Sequence, residues 1–275
     1  LEQRLNIAKE NGKIPKILVT VHLAGTPTYL KQIRDICHSF DVKIIEDASH
    51  AIGASYEGKK IGSCYYSDIT VFSFHPVKII TTGEGGSIMS NDKDFDRKCK
   101  MIRSNGITKD KKYFTHNEKG PWYYEQQRLG YNYKLSDIHC ALGVSQLKKT
   151  SMFVDERNRI ANVYDSELKN LPIHLPNILK GNKSSFHLYI IRLNDREKNF
   201  SHKKIHSKLI EKGINVNLHY YPVHLQPFYR SLGFSERMFP VSEKYANEAV
   251  SIPIFPGLTE SQQLYVIEEI TSLLN

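Results

Sequence analysis

The first half of this sequence predicts an α/β fold with a largely parallel sheet, and the second half a smaller α+β unit. Two observations carry that reading. Residues 16–21 (KILVTV) are a short, nearly continuous apolar run, followed by a helix-length pattern and a second short run at 42–46 (VKIIE). This is the strand–helix–strand spacing of a βαβ unit. Later the chain becomes helix-rich, until 185–193 (SFHLYIIRL) supplies a strand that opens a second group of elements.

Taken in order, Leu1, Leu5 and Ala8 have helical spacing, and Asn11-Gly12 stops the pattern. The run at 16–21 is apolar enough to predict a strand buried on both faces. Thr28 is placed to cap a helix reaching about residue 40, with Leu30, Ile33, Ile36 and Cys37 as its apolar stripe. Strands are predicted at 42–46, 69–74 and 87–90, the last two separated by a polar, glycine-rich loop. Helices are expected at 92–104, 136–148 and about 152–168. Strand 185–193, helix 202–211, strand 214–218 and a closing helix at 260–273 then make the α+β unit. The division falls near residue 155, giving a large domain over 1–155 and a small one over 156–275. A doubly wound sheet needs more strands than precede that division, so the large domain is expected to be incomplete on its amino-terminal side.

Composition narrows the function classes. The 40% hydrophobic and 24% charged fractions are those of a folded globular chain rather than a disordered one. No apolar stretch approaches the ~20 residues of a spanning helix, which predicts no membrane association. Cys37, Cys64, Cys99 and Cys140 have no metal-binding spacing and read as reduced thiols of a cytoplasmic protein. His202 and His206 lie one helical turn apart but lack a third ligand nearby, so no metal is expected. The net charge of +9 comes from lysines interleaved with Asp and Glu along helices. That is a solvated surface, attractive to anionic small molecules, and not a nucleic-acid footprint.

Chemistry-bearing residues gather after the predicted strands. Asp47 follows 42–46, where a carboxylate faces the crevice at the carboxyl ends of an open sheet. Lys78 follows the strand at 69–74, and a protected lysine amine has the lowered pKa needed to form a Schiff base. Ser73, Thr81, Thr82, Gly83, Gly85 and Gly86 surround it in sequence and offer hydroxyls and backbone amides to a phosphate. Singly, each has an ordinary reading as a turn former or surface residue.

Three segments in fixed order go further: EDASHAIGA at 46–54, FSFHPVKIITTGEGG at 72–86 and LGYNYKLSDI at 129–138. They closely resemble the DegT/DnrJ/EryC1/StrS sugar aminotransferase family, and the likeness runs to the carboxy terminus. The resemblance implies the fold-type I architecture of pyridoxal-phosphate (PLP) dependent transferases and a homodimer with shared active sites. It implies that Lys78 carries the cofactor and shuttles protons, that Asp47 partners the pyridine nitrogen, and that Ser73 binds the cofactor phosphate. His50, standing where many members carry Gln, falls beside the cofactor. Asn132 resembles a residue reaching the neighbouring subunit's cofactor phosphate, and Lys134, often Arg in relatives, a contact to substrate phosphate. Relatives that dehydrate sugars replace the lysine with His, so Lys78 implies amino transfer. Family members begin with a longer segment bearing a phosphate-contacting loop, which nothing before Leu1 supplies.

GPWYYEQQ at 120–127 and NLHYYPVHLQPFY at 217–229 resemble the branch that aminates C4 of UDP-linked 4-keto-6-deoxy-N-acetyl sugars on the route to pseudaminic acid, with glutamate as amine donor. His219, Tyr220 and His224 then suit sugar and uracil contacts, combining imidazoles with an aromatic face. The rival expectation is a non-catalytic or inactive truncated relative that binds a nucleotide sugar or regulates.

Overall fold

The computed structural model describes residues 1–194 and 202–274. Helix α1 (Glu2–Glu10) leads to β1 (Ile17–Val21), α2 (Leu30–Ser39) and β2 (Lys43–Asp47), with β1 and β2 parallel from Ile17 opposite Lys43 to Val21 opposite Asp47. A hairpin of β3 (Ser55–Tyr56) and β4 (Lys59–Lys60) precedes β5 (Ile69–Ser73), which lies parallel to β2. Strand β6 (Gly86–Met89) returns antiparallel to β5, so among the described residues the sheet runs β1-β2-β5-β6 and is mixed but mostly parallel. Leu5, Cys37, Val42 and Ile44 form a buried cluster joined by Leu18, Ile33 and Ile36, while Leu30, the fourth residue of the predicted α2 stripe, packs in another with Ala48, Ala51 and Phe72.

Two expectations fail here. Thr28 does not cap α2: its N–H donates to His22 Nδ1 at 3.2 Å and its hydroxyl meets Thr20 Oγ1 at 2.9 Å, while α2 begins after Tyr29 with no side-chain cap. Nor is β1 buried on both faces, because Ile17, Val19 and Val21 are each about half exposed. Their face of the strand is met by no covering helix among the described residues.

Next come α3 (Lys93–Arg103), capped by Asp92 on the amides of Asp94 and Phe95, and the short ladder of β7 (Ile107–Thr108) with β8 (Glu125–Gln126). Glu125 closes the loop between these strands by accepting from the amides of Thr115 and His116 and from the Tyr123 hydroxyl. Helix α4 (Asp137–Leu147) starts at a Ser136 cap, and α5 (Thr150–Leu168) serves two cores. Val154 packs with Ile79 and Ile80, whereas Ile160, Ala161, Tyr164 and Leu168 enter a second cluster with Tyr189, Ile191 and Val250.

The rest of the chain adds β9 (Ile173–His174), β10 (Tyr189–Leu193), α6 (His202–Glu211), α7 (Pro227–Ser231), α8 (Pro240–Glu248), β11 (Ala249–Ile252) and α9 (Glu260–Leu274). Its strands are antiparallel in the order β11-β10-β9. The strand expected at 214–218 is only an isolated bridge from Asn217 to Ser251, although Ile214 and Val216 are buried. Strand β11 takes the place beside β10. All four of its residues are buried, so it lacks the alternation that would reveal it.

Candidate active site

Strand ends bring the predicted residues together. Asp47 closes β2 and Ser73 closes β5, adjacent parallel strands whose carboxyl ends point the same way. Asp47 Oδ1 accepts the amide of Ser49 at 3.0 Å, a local turn that fixes the carboxylate at the strand end. The loop after β5 folds back on itself: Thr82 N–H donates to Phe74 O at 3.0 Å and Phe74 N–H to Gly85 O at 2.8 Å. The hydroxyls of Thr81 and Thr82 close the same loop, donating to Phe74 O at 2.9 Å and Glu84 O at 2.6 Å. They therefore hold the loop that carries Lys78, rather than standing free for an anion.

Electrostatics tie the cluster. Burial pushes the Lys78 ammonium down from its usual value, while the Asp47 carboxylate pulls it back up. His50 is lowered to about 4 by burial first, then by Lys78, against the opposite pull of Asp47. His219 is lowered by burial and by Lys78, and the Tyr220 phenol is raised by burial and by Asp47. Lys78, Asp47, His50, His219 and Tyr220 thus share one field. Tyr220 Oη stands 3.4 Å from His50 Nε2, a contact between residues 170 positions apart.

Other expected residues lie apart. Asn132 and Lys134 are exposed, and their segment is tied to the end of α3 through Tyr131 N–H to Ile102 O and Tyr133 N–H to Arg103 O. His224 is buried, its Nε2 2.9 Å from Glu243 Oε1, which also accepts the amide of Phe239. The ring that sequence assigned to substrate is thereby the internal anchor of the 222–239 loop.

Several site residues escaped the sequence reading. His187 is buried with its ring 4.3 Å from that of His50, and its Nδ1 has no hydrogen-bond partner among the described residues. Ser185 donates to the carbonyl of His50 at 2.8 Å. His219 is held by Ser251 Oγ at 2.7 Å, and its carbonyl accepts the Tyr245 hydroxyl. Behind Asp47, His22 and Glu46 pair at 2.7 Å. The available signal was polar residues embedded in apolar runs, such as His22 after KILVTV and Ser184-Ser185-Phe186-His187 before β10.

A cavity of about 900 Å³ beside α3, lined by Arg97, Lys100 and Tyr113, contains none of these residues. Among the described residues no group of three His, Cys, Asp or Glu side chains is arranged to hold a metal, and no helix is long and apolar enough to cross a membrane.

A desolvated lysine opposite a carboxylate, at the carboxyl ends of a mostly parallel sheet, is the arrangement of a PLP-dependent aminotransferase, and the donor set fits that cofactor: an amine to bond its carbonyl, an acid for its ring nitrogen. The comparisons agree. Residues 6–271 match the DegT/DnrJ/EryC1/StrS aminotransferase family. The chain is 36% identical over 275 residues to the UDP-4-amino-4,6-dideoxy-N-acetyl-beta-L-altrosamine transaminase of Campylobacter jejuni, covering 100% of this chain and 69% of that protein. It is 36% identical to an uncharacterized protein of Methanocaldococcus jannaschii, over 94% of this chain and 67% of the relative. Its structure is similar to that of Helicobacter pylori PseC, an aminotransferase involved in the biosynthesis of pseudoaminic acid, with TM-score 0.84 and 30% identity over 95% of this chain and 67% of the other. The chain belongs to the DegT/DnrJ/EryC1/StrS aminotransferase family, and it is a PLP-dependent enzyme of the fold-type I architecture.

Proposed function

We propose that this enzyme transfers an amino group from glutamate to C4 of a UDP-linked 4-keto-6-deoxy-N-acetyl sugar, in the cytoplasm and as a homodimer with shared active sites. The similarity to the C. jejuni transaminase and to H. pylori PseC supports the substrate class. The observation that carries the reading is the shared field of Lys78, Asp47 and His50.

Bound PLP supplies an electron sink for the carbon that loses its proton. In this reading Lys78 bonds the cofactor at rest and moves the proton during transfer, a task suited to an amine whose ammonium is destabilised by burial. Asp47 keeps the ring nitrogen protonated, and its fixed turn holds the carboxylate in place. Ser73 and Asn132 bind cofactor phosphate, the second from the neighbouring subunit, while His50 flanks the ring. His219 and Tyr220 meet the sugar and uracil, Lys134 meets the substrate diphosphate, and His224 contributes through the loop it anchors.

Borohydride reduction of the PLP-treated protein followed by peptide mass mapping tests this directly. A pyridoxyl group on Lys78, together with glutamate-dependent amination of the UDP-4-keto sugar, is the expected result. Absence of the modified Lys78 peptide rejects the assignment.

A further inference from the structure

The turn after β1 sets the hydrogen-bonding direction of two imidazoles. Ala24 N–H donates to His50 Nδ1 at 3.3 Å, and Thr28 N–H donates to His22 Nδ1 at 3.2 Å. A backbone amide is only a donor, so each Nδ1 bears the lone pair and each Nε2 bears the proton. In His22 that proton goes to Glu46, 2.7 Å away. In His50 it points to the cleft, where Tyr220 Oη lies 3.4 Å off.

The geometry points to His50 as a one-way hydrogen-bond donor to an oxygen of the bound ligand, locked by the Ala24 amide and excluded from acid–base work. This rests on the proposed function only in placing the cofactor beside His50. The lock is built into the backbone. Ala24 holds φ 61, a left-handed conformation that favours glycine. Gly25 follows at φ 92, where a Cβ would sit 2.8 Å from the carbonyl of His50, so turn and histidine approach backbone to backbone. Ser185 donates to the same carbonyl at 2.8 Å, and the His187 ring packs against that of His50 at a 44° tilt. The ring cannot turn over to present Nδ1 without losing the Ala24 bond. The titratable groups around it are Lys78, Asp47, His187, His219 and Tyr220. Burial, Lys78 and His219 oppose a second proton on the ring, and Asp47 alone favours one. An imidazole so held does what a primary amide's N–H does, donating without exchanging its proton.

Long-range 1H–15N correlation spectra of histidine-labelled protein read this without turnover. Signals of His50 are identified by their loss in His50→Gln, and His22 serves as an internal reference for the same tautomer. The expected pattern is a pyridine-like Nδ1 and a pyrrole-like Nε2, unchanged from pH 8 to pH ~5 and unchanged in Tyr220→Phe, because the lock is Ala24. A protonated Nδ1, an imidazolium at pH ~7, or a tautomer that changes in Tyr220→Phe overturns the inference. PLP affinity supplies the second reading: His50→Gln keeps a donor and stays near wild type, whereas His50→Leu binds roughly tenfold more weakly. Equal losses in both variants also overturn it. A pyridoxyl group on Lys78 alongside a failed tautomer pattern leaves the aminotransferase reading standing and removes only the donor role.

Discussion

His22 Nε2 and Glu46 Oε2 lie 2.7 Å apart with both side chains sealed from solvent, on the strand residue next to Asp47. Side chains alternate along a strand, so Glu46 faces the core where Asp47 faces the cleft. The other oxygen of Glu46 accepts the hydroxyls of Ser67 and Thr70. His22 N–H also donates to the Asp47 carbonyl at 3.0 Å. Glu46→Leu strands three donors at roughly 1–3 kcal/mol for each buried unsatisfied group. Urea unfolding should show a clear drop in midpoint, and an unchanged midpoint would mean the pair contributes nothing to the fold.

Lys78→Arg should abolish amino transfer while leaving the circular dichroism spectrum and unfolding midpoint close to wild type. Arginine retains a charge beside Asp47 but stays protonated and does not bond a carbonyl carbon at neutral pH. Near-normal turnover in this variant removes Lys78 from the mechanism.

Asp47→Ala should weaken PLP binding and slow proton removal. A charge-assisted hydrogen bond is worth about 1.5–3 kcal/mol, which corresponds to roughly ten- to a hundredfold in affinity. Fluorescence titration with PLP measures the first effect and single-turnover kinetics with glutamate the second. Unchanged values in both would reduce Asp47 to a turn residue.

Acid should destabilise the protein earlier than carboxylate titration alone predicts. His50 is lowered to about 4, by burial and Lys78, and His187 to about 2, by burial and His50. Their unfolded forms take up protons near pH ~6.5, so between that value and their folded values the unfolded state binds more protons. Their contribution is complete above pH ~6.5 and declines as pH falls, at up to about 1.4 kcal/mol per pH unit for each ring. Half-buried His219 acts in the same direction with more solvent screening. Unfolding free energies at a series of pH values test this, with His187→Gln expected to flatten the slope. An equal slope in that variant refutes the assignment.

Gly25→Ala should disturb both the fold and the cofactor pocket. The φ of 92 already penalises a side chain, and the new Cβ would press on Ser185 Oγ and the His50 carbonyl. A midpoint loss on the order of 1–3 kcal/mol is expected, with weaker PLP binding. A variant as stable as wild type would show that the turn relaxes freely.

The sequence made the parallel ladder legible, because β1 and β2 are short apolar runs flanking the helical stripe of α2, and Asp47 and Lys78 follow such runs. Other features depend on contacts made across long separations. Strand β11 is fully buried beside β10, so period-two patterning never develops. His224 reads as a polar loop residue until Glu243, nineteen positions on, is seen to hold it. The meeting of His187 with His50 joins residues far apart in the chain, and no local pattern announces it.

Arg157 fastens the segment behind His50 to α5. Its Nη1 donates to the carbonyls of Phe186, His187 and Ile254, from a helix whose first turns pack on the loop carrying Lys78. With the guanidinium buried and lowered to about 10 by that burial, breaking these bonds would strand a cation in the interior. The segment that leans on His50 is thus riveted to α5 and travels with it. The 217–226 stretch is tied separately, His219 to Ser251, Tyr220 to His50 and His224 to Glu243. His50 therefore rests on a segment whose position is set by α5, the same helix that packs on the loop carrying Lys78.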